Sequence, residues 1–377
     1  MKTRLCPVCG HENLQRAVFC FQCGASLETE TTAHGVHRQR RHTDENTHAP
    51  KIDLSATEAL AEASIICLRC STPNQPLARY CIGCGASLSV PEDFDPTQPV
   101  PRVSAISDVG RVRSNNEDRV GLWAREGIVL AVVADGMGGA AAGEEASRLV
   151  LETIQAEFLG AVRGSETLRA LSDDEIADKL RTTIRRANRA ILERAEDYPA
   201  YQGMGTTVTL AFVRGPRVII AHVGDSRAYL VNGQNGWINQ VTDDHSFVEA
   251  LLASGHITHE QAAVHPMRNV LYRALGQVED VEADLYSREL AEGDWLVLCS
   301  DGLTRHVKPF EIAQFATCST TPAEAAQALI ALANERGGED NVSAVIIKME
   351  SAEALQDDAQ KTPAQPDDDT SPAASEN

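Results

Sequence analysis

Eight of the ten cysteines lie before residue 85, arranged as four Cys-x2-Cys pairs. Ten residues separate Cys6/Cys9 from Cys20/Cys23, and the same spacing recurs 61 residues later in Cys67/Cys70 and Cys81/Cys84. The repeat extends to a trailing Gly-Ala-Ser-Leu, at 24–27 and again at 85–88. Two such pairs are the ligand set of a closed tetrahedral zinc site, and a glycine after the second cysteine (Gly10, Gly24, Gly85) relaxes the knuckle. Units this small cannot bury a core, so folding and metal binding are one event. Clustered cysteines in a reducing compartment read as metal ligands rather than disulfides.

Residues 1–27 and 64–90 resemble zinc ribbons, each holding one structural Zn2+. Ribbons dock proteins, bind nucleic acid or serve structure alone. The chain carries 34 Lys and Arg against 54 Asp and Glu, a net charge of −20, with 5% aromatic residues. That balance argues against a phosphate-backbone or base-stacking surface, so protein docking is the expected role and nucleic acid an unexpected partner. Residues 28–63 are polar, contain His34, His37, His42 and His48, and lack periodicity. They read as a flexible linker. Four prolines within 91–101 mark a stiffer one, and 351–377, with a net charge of −6, read as a disordered tail. The longest apolar run is seven residues, Ile128–Ala134, far short of the ~18 a membrane span needs. With no secretory signal at the N-terminus, a cytoplasmic location is expected.

The 249 residues from 102 to 350 are enough for one large domain. Short β-branched runs at 127–134, 206–213, 217–223, 227–231, 294–300 and 342–348 read as strands. Helical periodicity appears at 143–159, 173–195 and 322–335. Strands that follow one another directly, flanked by long helices, predict an α+β layering of antiparallel sheets under helices.

Two segments share a design: an apolar strand running straight into Asp-Gly. One is Ile128–Ala134 followed by Asp135-Gly136, and the other is 295–300 followed by Asp301-Gly302. A lone Asp-Gly is usually a turn. Two at strand ends, with further acidic turns at 224–227 and 339–341, can bring carboxylates together on hard cations, which take oxygen ligands. Two such ions about 3.5–4 Å apart activate water and clamp a phosphoryl group.

The wording and order of these segments resemble the PPM family, the metal-dependent serine/threonine phosphatases of type 2C, in its bacterial style. The motifs are SDVGRVRSNNED at 107–118, ADGMGG at 134–139, GMGTT at 203–207 and HVGDSRAY at 222–229. DDHS at 243–246, RNVLYRALG at 268–276, CSDGL at 299–303 and EDN at 339–341 complete the series. The resemblance implies a four-layer α-β-β-α sandwich. It implies that Asp135 bridges two Mn2+ or Mg2+ ions, that Gly136 lends its carbonyl, and that Asp301 and Asp340 complete protein ligation. Glu117 and Asp118 would orient waters, Arg113 would grip the phosphate, and Asp225 with Asp301 would form a weaker third metal site. A water activated by the two metals would attack phosphorus, so no Ser or Cys nucleophile is needed. Phosphorylated proteins, including Ser/Thr kinases and their targets, are the implied partners. The rival readings are a phosphoprotein-binding pseudophosphatase and a zinc-ribbon scaffold.

Residue by residue, blander roles compete. Arg113 could pair with a neighbouring carboxylate, Asp225 could pin its loop through Arg227, and Glu117 could be a turn residue. Cys299 reads as a buried hydrophobe. Gly138 and Gly139 read as close-packing positions. The chain also departs from the family: Met137 and Ala140 stand where relatives carry a histidine suited to protonating the leaving oxygen. General-acid help is worth about 10²–10⁴-fold. Its source is expected to be a metal-bound water or one of His245, His256, His259 and His265. All four histidines lie in a variable flap, 244–272, which has Met267 where a polar or basic residue is common.

Overall fold

The computed structural model describes residues 3–6, 12–14, 27, 65–67, 73–74, 99–125, 127–159 and 168–351. The linker at 28–63 and the tail beyond Ser351 lie outside them, as do Cys9, Cys20, Cys23, Cys70, Cys81 and Cys84. What is described of the cysteine-rich repeats is a pair of matching hairpins. β1 (Thr3–Leu5) pairs with β2 (Glu12–Leu14), and β3 (Ile65–Cys67) with β4 (Pro73–Asn74). Arg4 faces Asn13 and Leu5 faces Glu12; in the second copy Ile65 faces Asn74 and Ile66 faces Pro73. The sequence repeat is thus a repeat of strand register.

The large domain opens with β5 (Val100–Asp108), β6 (Arg119–Arg125), β7 (Ile128–Ala134) and the two-residue β8 (Gly136–Met137), followed by helix α1 (Ala140–Leu159). Helix α2 (Asp173–Asp197) leads to β9 (Gly205–Thr206), β10 (Val208–Arg214), β11 (Arg217–Val223), β12 (Arg227–Val231) and β13 (Ile238–Gln240). Short helices α3 (Phe247–Ala253) and α4 (His259–Ala263) precede β14 (Asp284–Glu289) and β15 (Trp295–Cys299). Helices α5 (Asp301–Thr304), α6 (Pro309–Cys318) and α7 (Pro322–Glu335) lead to the last strand, β16 (Val342–Glu350).

Two sheets result, in the orders β14-β11-β10-β7-β6-β3-β4 and β13-β12-β15-β16-β5. Every pairing within the large domain is antiparallel. The exception is β3, which joins β6 in parallel, Ile66 facing Trp123 and Cys67 facing Ala124. The second cysteine repeat therefore extends a sheet of the large domain.

Three apolar layers hold the sandwich together. Ile128, Leu130, Val132 and Ala134 of β7 face α1 and α2, while Val129, Ala131 and Val133 face the other sheet. Likewise Trp295, Val297 and Cys299 of β15 face α6 and α7, while Leu296 and Leu298 face inward. Strands buried on both faces read as unbroken apolar runs rather than alternations. Each fully buried Leu, Ile or Val contributes about 1.5–3 kcal/mol of transfer free energy. Helix α2 buries Ile176, Leu180, Ile184, Ala187 and Ile191 along one stripe. Ser172 and Glu175 close a reciprocal capping box at its start, and Thr321 with Glu324 does the same for α7.

The four-layer α-β-β-α architecture agrees with expectation, but one boundary moves. β5 begins at Val100, inside the stretch expected to be linker, with Pro101 facing Met349. Proline is tolerated there because β5 is an edge strand, whose unpaired side asks for no N–H donor.

Candidate active site

Antiparallel register decides where the acidic residues meet. β7 ends at Ala134, which faces Arg119, the first residue of β6, so Glu117 and Asp118 arrive beside Asp135. In the other sheet Cys299 faces Ala344, so Asp301, just after β15, and Asp340, just before β16, flank one junction. β11 ends at Val223 opposite Val208, which brings Asp225 to the same rim. Strand ends from both sheets thus converge at one edge of the sandwich.

Asp118 ties the two sheets together. Its Oδ2 accepts hydrogen bonds from the Ser300 and Ser343 hydroxyls, each at 2.7 Å. Burial pushes its carboxyl up to about 7 against the help of those hydroxyls, with Asp301 and Asp340 adding to the rise. Glu117 is also buried, and burial raises its carboxyl. Its N–H donates to Asn341 Oδ1 at 2.9 Å and its carbonyl accepts from Ser147 Oγ at 2.6 Å. A Cβ on Gly143 would stand 2.3 Å from Glu117 Oε2, so that carboxylate sits against the first turn of α1.

Asp135 is held through its backbone. Its N–H donates to Thr207 Oγ1 at 3.0 Å, and its carbonyl accepts from Thr207 N–H at 2.9 Å and Thr206 Oγ1 at 2.8 Å. Its carboxylate lies well above the ordinary range because of burial and then the charges of Asp118, Asp301, Asp225 and Asp340. Gly136 has no room for a side chain: a Cβ would meet the Gly143 carbonyl at 2.2 Å. At Gly138 (φ +121°) a Cβ would press on Met204 Cα at 2.9 Å, whereas Gly139 (φ +91°) has open space and needs only the conformation.

Asp301 is half-buried, and burial raises its carboxyl. Arg305, the C-cap residue of α5 four positions on, donates Nε to Asp301 Oδ2 at 3.0 Å and also pairs with it through Nη2. Asp340 receives Arg113 Nη2 at 3.0 Å and its neighbour's N–H, from Asn341, at 3.0 Å. The Arg113 side chain remains 51% exposed, with most of its fork turned to solvent.

Asp225 sits in a bolted turn. Gly224 (φ +115°) leaves space only for hydrogen, with Thr207 Cβ 2.5 Å from a hypothetical Cβ. Its N–H donates to His245 Nδ1 at 3.1 Å, and its carbonyl accepts from His245 N–H at 2.7 Å and from His222 Nε2 at 3.0 Å. Because His245 Nδ1 accepts, Nε2 carries the proton and donates it to Asp284 Oδ2 at 3.1 Å. Arg273 holds the other oxygen of Asp284 at 2.6 Å. Arg227 grips Asp244 through three contacts of 2.7–3.0 Å, so it does not serve Asp225 as a tether. Burial first, then Asp301 and Asp244, push the Asp225 carboxyl up to about 8.

Of the four histidines expected as candidate acids, His245 drops out. His245 is 1% exposed with both ring nitrogens engaged, so it positions the Asp225 turn and has no proton to offer a leaving group. His256 Nδ1 meets Ser254 Oγ at 2.6 Å, and His265 Nδ1 accepts from Met267 N–H at 3.1 Å. The His259 side chain lies outside the described residues. Cys299 is fully buried and its thiol is pushed up to about 12, as befits a core residue.

The donor set suits hard divalent cations. Carboxylates raised by one another's charge relax when a dication arrives between them. Among the described residues no three Asp, Glu, His or Cys side chains form a ready-made ligand cage. Such a rim would give each ion few protein oxygens and leave room for water. Residues missed in the sequence were Asn341, Ser300, Ser343 and Arg305. Asn341 Nδ2 donates to the Val109 and Asn115 carbonyls, both at 2.9 Å, closing the Arg113 loop onto Asp340. Its place in Glu-Asp-Asn was the available signal, as was that of Ser300 in Cys-Ser-Asp-Gly-Leu; Ser343 and Arg305 carried none.

A family model described as "Protein phosphatase 2C" matches residues 110–335, and one described as "Double zinc ribbon" matches residues 6–85. The serine/threonine phosphatase stp of Listeria monocytogenes is 39% identical over 243 residues, 64% of this chain and 93% of that protein. PstP of Mycobacterium tuberculosis is 42% identical over 251 residues, 66% of this chain and 45% of that protein. A crystal structure of the PstP catalytic domain in complex with two manganese ions aligns with a TM-score of 0.58 at 39% identity, covering 67% of this chain and 99% of that one. The S. agalactiae serine/threonine phosphatase aligns with a TM-score of 0.61 at 37% identity, covering 66% of this chain and 100% of that one.

Proposed function

Since the chain belongs to the protein phosphatase 2C family, we propose that it hydrolyses phosphoserine and phosphothreonine in proteins, opposing Ser/Thr kinases, with its zinc ribbons directing it to partners. The observation that carries this reading is the convergence of Asp135, Asp225, Asp301 and Asp340 with Arg113 at one rim of the sandwich. Asp135, Asp301 and Asp340, with the Gly136 carbonyl, would hold two Mn2+ or Mg2+ ions, and Asp225 would help hold a third. Bound there, such ions supply water activation and charge neutralisation at phosphorus. Cys6, Cys9, Cys20 and Cys23, and Cys67, Cys70, Cys81 and Cys84, would hold one Zn2+ per repeat.

The chain's own residues supply orientation. Arg113, half exposed, offers a planar fork to two phosphate oxygens while Asp340 and Asn341 set its reach. Asp118, fixed through one oxygen by Ser300 and Ser343, would use the other to orient water in the site. Thr206 and Thr207 lock the Asp135 backbone so that its carboxylate needs no rearrangement during turnover. The test is hydrolysis of a phosphothreonine peptide by zinc-loaded protein, with and without Mn2+, beside the Asp301→Ala variant. Turnover that requires Mn2+ and disappears in the variant supports the reading. A folded, Mn2+-loaded protein without turnover would overturn it in favour of phosphoprotein binding.

A further inference from the structure

Six carboxylates crowd the rim, Glu117, Asp118, Asp135, Asp225, Asp301 and Asp340, and among the described residues only two guanidinium groups pair with any of them, those of Arg113 and Arg305. Arg113 reaches Asp340 alone, from a largely exposed position. Arg305 bridges: it pairs with Asp301 Oδ2 through Nε and Nη2, and its Nη1 lies 3.3 Å from Asp340 Oδ2. Asp340 thereby has both oxygens engaged, Oδ1 by Arg113 Nη2 and the Asn341 N–H, Oδ2 by the same Arg113 Nη2 at 3.1 Å and by Arg305. Other nearby arginines are spoken for, Arg227 by Asp244 and Arg119 by Glu144.

We propose that Arg305 is the resident counter-charge of the acidic rim, a positioning residue that competes with divalent cations for the Asp301–Asp340 edge and so sets how tightly the site takes them. The inference rests on the two-cation reading of the site. A guanidinium and a dication need the same oxygen lone pairs, and their charges repel at contact distance. Cation entry at Asp340 therefore requires the guanidinium groups to yield Oδ2, and only that of Arg305 ties Asp340 to Asp301. The place of Arg305 at the C-cap of the four-residue helix α5 lets it do so by side-chain rotation while Asp301 Oδ1 stays outside its grip. Arg305 then lowers cation affinity but shields the carboxylates from one another whenever cations are scarce.

The test is calorimetric titration of Mn2+ into zinc-loaded full-length wild type, Arg305→Gln and Arg305→Lys, with Asp135→Ala as the blank. Thermal melting with and without Mn2+ runs alongside. Arg305→Gln should bind Mn2+ roughly tenfold more tightly, the size expected from removing one partly screened charge. Without Mn2+ it should melt several degrees below wild type, and Mn2+ should raise its melting point by a larger step than in wild type. Arg305→Lys, which keeps the charge but not the bridging fork, should fall between the two in affinity. Equal or weaker Mn2+ binding by folded Arg305→Gln and Arg305→Lys would overturn the role of Arg305 and leave the two-cation reading standing. Failure of wild type itself to bind Mn2+ would overturn that reading and the inference with it.

Discussion

β7 and β15 are near copies in sequence logic, yet the aspartates at their ends are held in opposite ways. Asp135 is gripped by its backbone, through Thr206 and Thr207, and faces other carboxylates with no ion pair to it among the described residues. Asp301 starts a helix and is gripped by its side chain, through Arg305. One carboxylate is fixed by geometry and exposed to repulsion; the other is neutralised and movable. A pair made this way can accept cations on one side without the fold having to bear two naked, repelling charges side by side.

Removing either carboxylate tests the comparison most severely. Asp135→Ala should abolish turnover, a loss of three orders of magnitude or about 4 kcal/mol in the barrier, because the backbone clamp has no substitute ligand to offer. Asp301→Ala should be as inactive but should fold differently: Arg305, released, must find Asp340 alone. Thermal melting without Mn2+ separates the two, with Asp135→Ala gaining stability from relieved repulsion and Asp301→Ala losing an ion pair. Near-normal turnover by either variant would break the two-cation assignment.

The third acidic tip, Asp225, resembles Asp135 in being positioned through backbone, but the clamped residue is the preceding Gly224 and the clamp is a pair of histidines. His245→Ala removes the acceptor for the Gly224 N–H and should cost about 10–100-fold in turnover, as loss of residues that orient ligands commonly does. His245→Asn, which keeps an acceptor, should recover part of it. Equal losses in both variants would mean that ring packing against His222, at 4.9 Å between centroids, matters more than the hydrogen bond.

How much of this was visible in the sequence depended on range. β7, β15 and β16 were legible because burial on both faces wrote continuous apolar runs, and the aspartates at their ends were legible from the motifs. β5 was hidden by Pro101 and by the mixed exposure of an edge strand, and β14, the opposite edge of the other sheet, by its polar residues. Arg305 was silent for a different reason. An arginine four residues after an aspartate on a helix is an ordinary surface pair, and only the antiparallel register that delivers Asp340 turns it into a bridge.

A pH profile sharpens the histidine clamp further. His222 is fully buried, and burial followed by the neighbouring His245 lowers its ring to about 3 from 6.5. The unfolded chain takes up that proton at the higher value, so the stability that comes from keeping the ring neutral is intact above about pH 6.5. It drains away as pH falls toward 3. Chemical denaturation of wild type and His222→Gln at pH 7.5, 6 and 5 should therefore show the difference between them shrinking as acid is added. A constant difference would place the acid sensitivity elsewhere.

The smallest effect concerns the second cysteine repeat, whose β3 joins the large domain at the end of β6 remote from Glu117 and Asp118. Trp123, its partner in register, is 1% exposed and packs with the helix-side core, an environment that β7, α1 and α2 maintain without the ribbon. Deleting residues 1–98 should leave turnover of a small aryl phosphate unchanged within a factor of about two. Amide exchange at 122–125 should quicken as the sheet edge opens. The cut has to stop at 98: one at 101 strips Val100 and Pro101 from their pairing with Glu350 and Met349 and would confuse edge damage with loss of the ribbon. Loss of turnover in a folded 1–98 deletion would show that strand addition at β6 reaches the acidic rim, and the zinc ribbons would then belong to the catalytic unit rather than to targeting.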